Sequence, residues 1–80
     1  MVQFAYLKTG DKIARRRTEL VDGLLVRKHG TEYTVLSAVR NSTSGSRSVC
    51  LSPGDGHADL WLHDLQFSTV EDELVRWDKF

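Results

Sequence analysis

Cys50, His57, Asp59, His63 and Asp64 lie close together in the chain and are the residue types from which a nucleophilic site is built. Such a site needs an imidazole to take the thiol proton and a carboxylate to orient that imidazole. Any sequence with two histidines near several acids contains the same set, so its presence carries little. Cys50 with His29, His57 and His63 also offers zinc-ligand types, but no Cys-x-x-Cys or His-x-x-x-His spacing gathers them. Asp55, Asp59 and Asp64 follow no calcium-loop pattern. Gly54 and Gly56 flank an aspartate, which would repel a phosphate. The expectation is a chain with no catalytic residues, no metal and no cofactor, in which the histidines are solvated and Cys50 is a buried structural thiol. It is not expected to be an enzyme.

Charge gives a different set of candidates. Residues 1 to 50 carry nine Lys/Arg against four Asp/Glu, a balance of +5, and residues 51 to 80 carry two against seven, a balance of −5. Folding the two halves together would pair much of this at the surface, at roughly 0–1 kcal/mol per pair. Left unpaired, it would make a bipolar surface suited to self-association or a charged partner. Arg15, Arg16, Arg17, Arg27, Lys28, Arg40 and Arg47 would form a basic, phosphate-binding face if their strands were neighbours, with Tyr33 or Trp61 placed to stack a base. Net charge is zero, and the aromatics do not alternate with the basic residues on one strand. That makes nucleic acid the alternative and protein the expected partner.

Eighty residues with 40% hydrophobic and 28% charged content make one domain, residues 1–80, with a thin core. A single cysteine excludes an internal disulfide, and no leader or membrane-length apolar run is evident, so a cytoplasmic chain without membrane contact is expected.

These residues must be positioned by strands. Glu32 to Arg40 alternates Tyr33, Val35 and Val39 against Leu36 and Ala38, which predicts a central strand inside a sheet or small barrel. Met1 to Leu7 suits a first strand or an extended segment over the core. Lys12 to Arg17 reads as an edge strand whose arginines discourage pairing with another molecule. Thr18 to Gly30 has two readings. Leu20, Val21, Leu24 and Leu25 have helical spacing, but Asp22-Gly23 is a strong hairpin turn, and the hairpin is preferred. Asn41 to Ser46 is a hairpin tip, Arg47 to Ser52 its return strand, and Pro53 to Gly56 a turn. His57 to His63 then places Ala58, Leu60 and Leu62 opposite Asp59, Trp61 and His63. Leu65 and Phe67 are expected to continue the packing. A helix over about 69–77 is predicted from a Ser68 or Thr69 cap, a Ser68-x-x-Glu71 capping box, acidic first-turn residues and the Val70, Leu74, Trp77 face.

Gly10-Asp11-Lys12-Ile13, the strand Glu32 to Leu36, a polar hairpin, Val49-Cys50-Leu51, a tight turn and Leu60-Trp61-Leu62 resemble the strand layout of SH3-like small barrels over about residues 8–67. The opening tetrapeptide is similar to KOW-type and plasmid dihydrofolate-reductase-type members, although the reductase's Val-Gln-Ile-Tyr segment is absent, so its activity is not implied. The resemblance implies a mainly β, five-stranded SH3-like barrel with a short C-terminal helix, acting as a binding module. Small solitary barrels also look like phage or mobile-element accessory proteins that cover a host protein's surface. Trp61, Trp77 and Tyr33 are the expected protein-binding anchors, because desolvated aromatics dominate interface energetics.

Overall fold

The computed structural model describes residues 1–64 and 69–80. Five antiparallel strands form one sheet: β1 (Lys12–Val21), β2 (Leu24–Arg40), β3 (Arg47–Ser52), β4 (Leu60–His63) and β5 (Trp77–Lys79), ordered β4-β3-β2-β1-β5. A short helix α1 (Val70–Leu74) precedes β5, and a 3₁₀ turn (Phe4–Tyr6) opens the chain. The expected mainly β class, strand number and short helix are present. The sheet is not closed into a barrel: β5 pairs with β1 and β4 with β3, and among the described residues no ladder joins β4 to β5.

The hairpin reading of Thr18 to Gly30 holds. Asp22 and Gly23 have φ of 52° and 80°, the two positive angles that a two-residue primed turn requires. Across it Leu20 opposes Leu25 and Val21 opposes Leu24. The residues that suggested a helical face are therefore cross-strand pairs. The predicted central strand is the inner part of β2, which runs unbroken back to Leu24.

Two irregularities bend this long strand. Between Ala14↔Glu32 and Arg16↔His29 β2 advances one residue more than β1, and a second shift separates Val35↔Leu51 from Ser37↔Cys50. Inward of the first, β2 lies between β1 and β3 over the core. Outward of it, β1 and β2 continue as a two-stranded arm, because β3 reaches only to Thr34 and β5 only to Arg15. The molecule is accordingly elongated, 51 × 30 × 20 Å.

The core gathers Ile13, Val35, Val49, Leu51, Val70, Leu74 and Trp77, with Val2 and Leu7 covering it from the N-terminal segment. That segment is not a strand; it turns at Phe4–Tyr6 so that both flanking aliphatics face inward. Lys12 to Arg17 is not an edge over its first half, since β5 covers Ile13 to Arg15. Thr69 caps α1, its hydroxyl accepting from the Asp72 amide at 3.3 Å. The helix ends at Leu74, short of the predicted 77, because Trp77 to Lys79 extend to pair with β1. The expectations for Leu65, Phe67 and the Ser68 box lie outside the described residues.

Candidate functional site

Three places in the fold hold the residues with chemical or binding potential: the β3–β4 surface, the base of the arm and the arm's tip.

On β3, Cys50 is 4% exposed and opposes Trp61 in the ladder. Its thiol donates to the Asp59 carboxylate, Sγ to Oδ2 at 3.9 Å. Burial, and then that carboxylate, push the thiol pKa up, the direction opposite to nucleophile activation. His63 opposes Ser48, and His29 lies at the base of the arm. Among the described residues no three His, Cys, Asp or Glu side chains assemble as a metal site.

The base of the arm is an ionic junction. Asp78 on β5 receives the Met1 ammonium at 3.2 Å and Arg16 at 3.0 Å on one oxygen. Its other oxygen takes His29 at 2.8 Å, with Arg27 at 3.9 Å. The hydrogen bond from His29 is the largest influence holding the Asp78 carboxyl far below its ordinary value, followed by the ammonium and Arg16. On the opposite face Glu19 bridges Arg17 and Lys28, and Arg15 pairs with Glu73, which also accepts from the Trp77 indole. An open cleft of about 210 Å³ lies here, lined by Arg15, Arg17, Gly30, Thr31, Tyr33, Leu60 and Trp77.

The expected basic face is divided by this arrangement. Arg15, Arg16, Arg17, Arg27 and Lys28 cluster on the arm, where acids from the C-terminal half and Glu19 meet them. Arg40 and Arg47 oppose one another near the polar hairpin, roughly 40 Å from Lys28 along the strand at about 3.3 Å per residue. Arg47 is structural. It grips Asp64 through Nε at 3.2 Å, meets Glu71 at 3.3 Å and lies over the Phe4 ring, while Asp64 also accepts from the Val70 amide at 2.8 Å. The last of these hydrogen bonds, followed by those from Arg47, lowers the Asp64 pKa.

The expected aromatic anchors separate as well. Trp77 is 3% exposed, packed edge-on against Tyr33 at 5.6 Å, and belongs to the core. Tyr33 is half-buried beside it. Trp61 alone is open, at 56%, on the outer face of β4.

The arm's tip was not among the expected sites. Leu20, Leu24 and Leu25 are 71%, 69% and 77% exposed, and Val21 stands beside them. Leu20 and Leu25 share one face; Val21, Leu24 and Val26 share the other. Neither face has a layer packed against it among the described residues. The sequence signal was the run of four large aliphatics around Asp22-Gly23, whose helical spacing and turn named no partner for them. Comparisons of the chain with protein-family models, with curated proteins and with solved structures found no match.

Proposed function

We propose that this chain is a non-enzymatic binding module that engages a protein partner through the tip of the β1–β2 arm. The observation that carries this reading is a ribbon with aliphatic side chains exposed on both faces beyond the core. An isolated two-stranded ribbon is marginally stable in water. Burying a leucine side chain is worth about 1.5–3 kcal/mol, so three leucines can support a contact of useful strength. Trp61 on β4 is a second, smaller surface for the same role.

The strand succession supports the SH3-like reading in part. Four strands meander, and after a short helix a fifth returns beside the first, outside the 8–67 span of that resemblance, in an open sheet. A small module with one projecting contact suits an accessory protein, of phage or mobile-element type, that covers a host protein's surface.

Nucleic acid is the second reading, favoured by Arg17, Arg27 and Lys28 on the arm. Glu19 and Asp78 neutralise much of the field those residues would offer to phosphate. A photoreactive residue at position 25 distinguishes the classes. Adducts with polypeptide are expected; adducts only with nucleic acid or lipid, or none, would overturn the protein-binding reading.

A further inference from the structure

The hydrogen-bonding directions along the arm point to a specific occupant. In a two-residue hairpin the closing pair, Val21 and Leu24, exchanges hydrogen bonds, so alternate residues turn their backbone groups outward. On β1 these are Thr18 and Leu20, consistent with the Arg16 amide already reaching outward to the Arg76 carbonyl at 2.8 Å. On β2 they are Leu25 and Arg27. Among the described residues both edges are free at the tip, but their side chains differ. The β1 edge carries Glu19 between Thr18 and Leu20, whereas the β2 edge carries Leu24-Leu25-Val26 without a charge.

Resting on the arm-tip reading above, we infer that the partner is a second copy of this chain, joined edge to edge through β2 about a two-fold axis at Leu25. In that register Leu25 opposes Leu25 of the second copy, and Leu24 and Val26 oppose each other twice. Every central pair is apolar. One face of the resulting four-stranded sheet carries an unbroken Leu20-Leu25-Leu25-Leu20 row, and the other gathers Val21, Leu24 and Val26 from both copies.

Charge selects this register over its neighbours. An axis at Val26 sets Leu25 against Arg27 and Leu24 against Lys28, and an axis at Arg27 opposes like charges. With the axis at Leu25, Arg27 faces Gly23 of the second copy beside its Asp22, a carboxylate without an ion-pair partner among the described residues. Arg27 is held only loosely at home, 3.9 Å from Asp78. The contact is small, and a concentration-dependent dimer is the expected form.

The test is cysteine cross-linking under mild oxidation, together with mass in solution against concentration. Directly opposed residues in a hydrogen-bonded antiparallel pair sit about 5.5 Å apart between Cα atoms, within disulfide reach. Leu25→Cys should therefore give a linked dimer. Leu20→Cys should not, because its counterpart lies three strand spacings away, about 14 Å. Cys50 is buried and stays out of the reaction. The native chain should rise toward two-chain mass with concentration, and Leu25→Glu should keep it at one. A native chain of single-chain mass at all concentrations, or Leu20→Cys linking as fast as Leu25→Cys, overturns the self-pairing. If position 25 still gives photo-adducts with a different polypeptide in that case, the arm-tip reading stands while its occupant changes.

Discussion

The middle of β2 and its outer end at the arm's tip are built from the same kinds of residue and have opposite fates. Val35, near its middle, is fully buried beside its ladder partner Leu51; Leu25, ten residues earlier, is 77% exposed on the same strand. What differs is the number of neighbouring strands. At Val35 there is β3 on one side and Gly10 and Asp11, leading into β1, on the other, and residues of α1 and the N-terminal segment share its core. At Leu25 there is, among the described residues, β1 alone. Apolar alternation marks a surface to be covered, and what covers it depends on which elements the chain brings there.

The largest effect should come from breaking the buried middle. Leu51→Ala removes a fully buried side chain from the centre of the core and should cost about 2–5 kcal/mol in denaturant unfolding. The junction between the two regions comes next. Asp78→Asn removes the charge that collects Arg16, Arg27, His29 and the Met1 ammonium and should cost about 2 kcal/mol.

The same variant carries a pH signature. The Asp78 carboxyl is lowered in the folded chain from an ordinary 3.8, so its stabilisation is complete above that value and fades as pH falls below it. Asp78→Asn should flatten the acid limb of the stability curve, with the slope that remains coming from other lowered carboxyls such as Asp64. An unchanged acid limb would contradict the junction's role.

Smaller effects belong to the arm. Gly23 holds φ of 80°, so Gly23→Ala should cost about 1–2 kcal/mol in the ribbon through left-handed backbone strain. Loss of amide protection should then be confined to the arm. Leu25→Ser should change unfolding free energy least, by under about 0.5 kcal/mol, because its side chain has little native burial to lose. Its effect should appear instead in association, sharpening the contrast with Leu51.

How far this was legible in the sequence follows the same division. Glu32 to Arg40 announced a strand inside the sheet, flanked on both sides, although Leu36 and Val39 stay exposed and only Val35 is buried, and Asp22-Gly23 announced its turn. Trp77 misled because Val70, Leu74 and Trp77 have helical spacing, and a three-residue strand is too short to show a period of its own. Pairing with Ile13 to Arg15, invisible in local sequence, draws Trp77 inward. The basic residues were visible as a group, but their separation along a 17-residue strand and their capture by Asp78 and Glu19 depend on register. The exposed tip was hidden for the converse reason: its aliphatics showed a helical spacing and a turn but nothing of what lies beside them, and only the end points of β3 and β5 show that among the described residues no core lies beneath them.

Amide hydrogen exchange followed against protein concentration reads the middle of β2 and its outer end at once. The Val35 amide, bonded to the Asp11 carbonyl at 2.8 Å, should remain protected at every concentration. The Leu25 amide should be protected in concentrated solution and lose that protection on dilution, while Leu20 exchanges quickly throughout. A Leu25 amide whose exchange ignores dilution, or a Leu20 amide that follows it, would contradict pairing of the arm through β2.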